Sequence, residues 1–307
     1  MKTGSVNRRP TERRRDNPAM TTTTLPRQTA TPELRQWIIE QARAGHGPEA
    51  VLASMREAGW QEDVAIAALE ETLSAYLVEQ GRDAELPPGS AVPEPSLAGA
   101  PAWIDLPDRR VAVLTQMHLP RVVVFGGLLS DEECDALVAL ADPRLARSET
   151  VDNDTGGSEV NEARTSEGMF FGRGESELIR RIEDRIAALL NWPVENGEGV
   201  QVLHYRPGAE YKPHYDYFDP AQPGTPTILK RGGQRVGTLV MYLNTPVRGG
   251  ATTFPDVGLE VAPVKGHAVF FSYDRAHPVT RTLHGGAPVL EGEKWVATKW
   301  LRQGRFD

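Results

Sequence analysis

A chain of 307 residues exceeds what one small domain needs and suggests a large domain with an appendage. Its apolar content of 39% supports a true core, while a net charge of −8 argues against a general binder of nucleic acid or anionic membranes, since phosphate attraction needs a basic surface. Cys134 is the only cysteine, which excludes an intrachain disulfide and a cysteine-built zinc site and fits a reducing, cytoplasmic setting; no apolar run of about 18 residues exists to span a bilayer.

Residues 1–30 are polar, carry Arg13, Arg14 and Arg15, and lack the apolar centre of a secretory signal. They read as a disordered basic tail, with a transit peptide or docking arm as the alternative. A helix is expected from Thr31, a capping residue, with Pro32 at the first helical position and Leu34, Trp37 and Ile38 at helical spacing. Pro48 opens a second helix that carries Val51, Leu52 and Met55 and stops at Gly59, and QEDVAIAALEETLSAYLVE gives a third. The resulting bundle over 31–80 loosely resembles the ubiquitin-associated three-helix module, which implies either a protein-docking role or a merely stabilising one. Residues 81–102, GRDAELPPGSAVPEPSLAGAPA, read as a linker.

Past the linker, over 103–307, RVVVFGGLLS predicts a strand and a turn. Ser130 then caps the helix DEECDALVAL, whose first turn is acidic as the helix dipole favours. Cys134 in that helix reads as a small buried hydrophobe. A polar loop over 148–163 precedes the helix ESELIRRIEDRIAALLN. Strand-like runs follow: GVQVLHY, RVGTLVMYLN, GLEVAPV, HAVFFSY and KWVATKWL. The pattern is mainly β with supporting helices, a sandwich or open barrel.

The stretch YKPHYDYFDP sets His214 and Asp216 two positions apart, and in a strand such residues share a face. Alone, this pair is as readily a surface salt bridge as a ligand pair. His284, before Gly285 and Gly286, offers a third ligand, and two histidines with one carboxylate make a facial triad suited to non-haem Fe(II). Zinc can use the same set for hydrolysis. Lys294 favours iron: the turn LEGE is expected to bring its strand back beside that of His284, where an ammonium can hold the distal carboxylate of a metal-chelating oxo acid.

Together HYDYFDP, QRVGTLVMYLN, GGATTFP, KGHAVFFSYD, LHGGAPVLEGEKWVATKWL and ARTSEGMF resemble the prolyl 4-hydroxylase family of Fe(II)/2-oxoglutarate dioxygenases over about 103–305. The resemblance implies a double-stranded β-helix, or jelly roll, with the metal at one open end. It assigns His214, Asp216 and His284 to iron, and Lys294, with Tyr205 and Thr252, to 2-oxoglutarate. Peptide contacts map onto Arg164, Ser166, Glu198, Tyr211, Arg235 and Trp300, each of which can equally be a packing or salt-bridge residue. The implied reaction consumes O2 and 2-oxoglutarate, releases succinate and CO2, and hydroxylates C4 of proline in a peptide or protein, with L-ascorbate as reductant. Ala251 departs from the acidic residue frequent in the family. The absence of collagen-hydroxylase cysteines points to the bacterial-type, stand-alone members.

Two loops, 148–163 and 220–233, are candidate lids, or simply disordered. His46, His118, His204, His267 and His277 lack the paired spacing and read as structural or solvent-facing. Other readings are a dioxygenase of a free amino acid or small metabolite, and a non-catalytic binder of Pro-rich peptides; the triad with Lys294 argues against the latter.

Overall fold

Thr31 closes an extended segment and accepts the Leu34 amide on its Oγ1 at 3.3 Å, and α1 (Pro32–Arg43) starts there. With α2 (Pro48–Glu57) and α3 (Glu62–Asp83) it forms the first of two units, Met1–Leu86. The computed structural model describes residues 29–44, 46–83, 86–147, 150–151, 158–159 and 165–307. Arg164 and most of the 1–30 and 148–163 segments lie outside these. Leu34, Ile38, Val51, Met55, Ala65, Ala68 and Leu69 are the buried core of the three helices, so helical spacing selects the inward faces of α1 and α2. On α3 the side expected from Val64, Ala67, Ala68 and Leu73 is rotated: Ala65, Ala68 and Leu69 are buried and Ala67 is exposed. No helix among the described residues is long and apolar enough to cross a membrane.

The second unit is Pro87–Asp307. The expected linker over 81–102 is therefore divided: α3 runs on to Asp83, and from Pro87 the chain lies against the second unit. Ser90 N–H donates to the Asp274 carbonyl at 2.7 Å, Glu94 N–H donates to the Leu190 carbonyl at 2.9 Å, and Pro93 is buried beside Gly237. Prolines that cannot join a ladder can still pack, and composition alone does not distinguish the two cases.

In chain order the second unit has β1 (Trp103–Asp105), β2 (Arg110–Met117), β3 (Arg121–Gly126), α4 (Asp131–Ala141), β4 (Ala146–Arg147), β5 (Thr150–Val151), β6 (Ser158–Glu159), β7 (Glu167–Phe171), α5 (Glu177–Leu190), β8 (Val200–Tyr205) and β9 (Tyr211–His214). There follow α6 (Thr225–Ile228), β10 (Arg235–Tyr242), β11 (Arg248–Gly249), β12 (Thr252–Phe254), β13 (Leu259–Val261), β14 (Ala268–Ser272), β15 (His284–Gly286), β16 (Val289–Glu291) and β17 (Lys294–Arg302). Ser130 and Glu133 close a reciprocal capping box at α4. The short α6 sits inside the 220–233 loop.

A nine-stranded antiparallel sheet runs β1-β2-β3-β14-β10-β17-β8-β7-β4, and a four-stranded one runs β13-β12-β15-β9. Strand alternation gives the large sheet two apolar faces. One packs on α4 and α5 through Leu137, Ile179, Ile182, Ile186, Val202, Met241 and Phe270. The other meets the small sheet through Leu203, Tyr242, Phe254, Phe271, Val289 and Val296. Helices, large sheet and small sheet are thus three layers, the helix-backed sandwich expected from the strand pattern and the jelly roll that the resemblance implies. Cys134 is fully buried, and burial pushes its thiol up to about 11.

One expectation fails instructively. β17 does not run back beside β15. After β16, which pairs with β11, the chain turns at Gly292 (φ +81°) and crosses to the large sheet, where β17 lies between β10 and β8. Lys294 therefore faces His284 from the opposite wall instead of from the adjacent strand.

Candidate active site

The site lies between the two sheets. His214 ends β9, and its register partner on β15 is His284. Close approach of these strands depends on Gly285, where a Cβ would stand 2.9 Å from the Tyr211 carbonyl oxygen. The pairing brings the two imidazole centroids to 4.4 Å. Asp216 lies just beyond the strand end, so the turn after His214 helps to bring its carboxylate in. Its Oδ1 is 3.5 Å from His214 Nε2 and its Oδ2 is 3.4 Å from His284 Nε2. The three ligand atoms lie within 4.8 Å of one another, and no other such cluster occurs among the described residues.

Hydrogen bonds behind the triad fix which atoms face inward. His214 Nδ1–H donates to the Lys212 carbonyl at 2.9 Å, and His284 Nδ1–H donates to the Thr282 carbonyl at 3.0 Å. Both Nε2 lone pairs are thereby left for a cation. Burial pushes His284 down to about 4, so it is neutral near pH 7. Burial works against ionisation of Asp216, but His284, His214 and Arg235 outweigh it and hold the carboxyl well below the usual range. Thr238 Oγ1–H donates to Asp216 Oδ2 at 2.7 Å, and Thr238 Oγ1 is 3.0 Å from the buried Tyr273 hydroxyl. Two imidazoles with their Nε2 atoms turned inward and one carboxylate, converging and prearranged, fit Fe(II).

Lys294 projects into the same pocket, 4% exposed, with its Nζ 5.3 Å from the Tyr205 ring centroid. Tyr205 is its register partner on β8. No carboxylate among the described residues pairs with this ammonium, and burial alone pushes it down to about 8. A buried cation without an anion beside a metal triad fits an anionic ligand delivered from solution. Thr252 is buried at the same pocket, its Oγ1 accepting from the Tyr242 hydroxyl at 2.8 Å.

Of the residues that the resemblance assigns to peptide, Tyr211 stacks on the His214 ring at 3.7 Å between centroids, and Ser166 is buried just before β7. Trp300 lines the pocket, 7% exposed, and its Nε1–H is buried without a hydrogen-bond partner among the described residues. Glu198 and Arg235 are bonded to each other: Arg235 Nε and Nη2 donate to Glu198 at 2.7 and 2.9 Å, and Arg302 Nε adds a third bond at 2.6 Å. The Arg235 guanidinium lies 4.0 Å from the Trp300 ring centroid, so this ion cluster also supports the pocket wall.

Thr238 is missing from the sequence-based set, although alternation along RVGTLVMYLN places it on the same side of β10 as Val240, another pocket residue. His204, with Nε2 2.7 Å from Glu293 Oε2 and its ring stacked on Trp295, lies on the other face of β8 and has no part in the triad.

The profile described as the 2OG-Fe(II) oxygenase superfamily matches residues 200–302, the stretch that contains the triad and Lys294. That is the class of protein. Prolyl 4-hydroxylase 1 of Arabidopsis thaliana is 46% identical over 203 residues, covering 60% of this chain and 69% of that protein. Prolyl 4-hydroxylase 2 of the same plant is 40% identical over 211 residues, covering 61% and 69%. Among solved structures, the viral collagen prolyl hydroxylase of Paramecium Bursaria Chlorella virus-1, in its 2OG complex, is 35% identical; it covers 59% of this chain and 95% of that one, with a TM-score of 0.46. The chain belongs to the prolyl 4-hydroxylase family of Fe(II)- and 2-oxoglutarate-dependent oxygenases.

Proposed function

We propose that the protein hydroxylates C4 of proline within a peptide or protein, and is a 2-oxoglutarate dioxygenase of the procollagen-proline 4-dioxygenase type. The observation that carries this reading is one pocket that holds half-buried His214, buried Asp216 and His284, and a buried Lys294 with no carboxylate partner among the described residues. When bound there, ferrous iron with 2-oxoglutarate and O2 supplies the oxidising chemistry, yielding succinate, CO2 and one oxygen atom inserted into a C–H bond. The chain's own residues prepare the place. His214 and His284 offer Nε2 because their Nδ1 protons are held by backbone carbonyls. Asp216 remains anionic under the Thr238 hydroxyl, and Lys294 grips the cosubstrate's distal carboxylate from the opposite wall. Leu203, Val240 and Val296 line the space between and limit water. Tyr211, Trp300, Ser166 and, beyond the described residues, Arg164 are assigned to the peptide. Glu198 and Arg235 act on it through the wall they build behind Trp300.

The test is succinate formation with Fe(II), 2-oxoglutarate and proline-containing peptides, with mass spectrometry locating the added oxygen. His214→Ala and Asp216→Ala are each expected to abolish both signals. Proline-dependent turnover that survives either change refutes the metal assignment, and oxygen added to free proline alone refutes the peptide assignment.

A further inference from the structure

β7 is apolar on both faces. Met169 and Phe171 point into the core beneath the helices, while Phe170 between them is 51% exposed. Register decides which side it occupies. Phe170 is the partner of Gln201 on β8, and Gln201 is the partner of Thr298 on β17. Cross-strand partners share a face, and Thr298 lines the triad's pocket. Phe170 therefore continues the pocket floor two strands outward. Its ring centroid is 6.4 Å from that of Trp300, the pocket's aromatic wall. Arg144 Nη2–H donates to the Phe170 carbonyl at 3.2 Å and helps hold the strand that presents the ring. Phe170 stands outside the pocket lining itself and adjoins it through the Trp300 ring.

We infer that Phe170 is a specificity-determining platform: it supports a pyrrolidine ring or apolar side chain two residues away from the proline that is hydroxylated. Two residues of extended peptide advance about 6–7 Å, which matches the spacing from Trp300 to Phe170. Exposed aromatic faces are surfaces on which extended, proline-bearing chains dock. The enzyme then favours proline-dense segments over isolated prolines. The inference rests on the prolyl-peptide reading above.

The experiment compares wild type, Phe170→Ala and Phe170→Trp on two peptides, one with proline and one with glycine two positions to each side of the target. For the proline-flanked peptide, Phe170→Ala is expected to raise KM about tenfold with kcat within about twofold, as loss of a well-packed aromatic contact does. Phe170→Trp restores the KM. The KM for 2-oxoglutarate and the melting temperature stay at wild-type values, and the glycine-flanked peptide does not distinguish the variants. An unchanged KM in Phe170→Ala, or an equal rise for both peptides, overturns the platform while leaving prolyl hydroxylation intact. If wild type hydroxylates neither peptide, the platform and the function reading fall together.

Discussion

β17 carries two buried lysines that face opposite ways. Lys299, on the helix side and 2% exposed, donates to Glu183 at 2.6 Å, and the other oxygen of Glu183 accepts from the Gly174 amide. Lys294, on the pocket side, has the Tyr205 ring but no carboxylate partner among the described residues. Burial lowers the proton affinity of both, and only at Lys299 does a carboxylate oppose it. The contrast separates two uses of a costly group. The charge of Lys299 is neutralised from within the chain, whereas the proposed role of Lys294 has its counter-ion supplied by solution.

The sharpest way to break this contrast is to remove each ammonium in turn. Lys299→Met leaves Glu183 buried and unpaired, and is expected to cost about 3–5 kcal/mol in denaturant unfolding. The KM for 2-oxoglutarate of the folded fraction should not move. Lys294→Ala should do the reverse: loss of a charge-assisted bond worth about 1.5–3 kcal/mol raises that KM roughly 10- to 150-fold, with no loss of thermal stability in the absence of cosubstrate. If both variants alter the same quantity, the division between structural and functional charge is wrong.

A smaller effect concerns the triad's support. Thr238→Val removes the hydroxyl bonded to Asp216 and should weaken Mn(II) binding about tenfold or more by calorimetry or electron paramagnetic resonance, while Thr238→Ser keeps it. Equal affinities in all three proteins would show that Asp216 needs no such support. The mildest test uses pH alone. Lys294 changes charge near pH 8 when buried and near 10.5 in the unfolded chain. The unfolded chain therefore binds the extra proton between these values, so without cosubstrate stability gains from this residue as pH rises from 8 to 10.5. On the proposed pairing of the ammonium with the cosubstrate's carboxylate, the rise in melting temperature that 2-oxoglutarate produces should be largest near pH 7 and shrink as pH passes 8. A shift that does not depend on pH would remove Lys294 from the cosubstrate's carboxylate.

The layers and the triad were legible because their signals are local. The Thr31 and Ser130 caps, the alternation in β10 and β17, and the His214–Asp216 spacing all act within a few residues. What eluded the sequence is non-local. That β17 crosses to the far sheet depends on pairing with β10 and β8, partners more than 50 residues away along the chain. The docking of Pro87–Ala102 depends on carbonyls at Asp274 and Leu190. Glu198 and Arg235 could be read as ligands of a peptide or of each other, and only coordinates reveal that they bond mutually.

Each triad histidine is steered by the carbonyl of the residue two places before it, Lys212 for His214 and Thr282 for His284. Orientation of the rings is thus written into short backbone segments and does not wait for the ion. Rings held this way suit any divalent transition ion that takes two imidazoles and a carboxylate. Occupancy by iron is then expected to follow supply and exchange, with cobalt, nickel or zinc at comparable concentration competing for the same three donors.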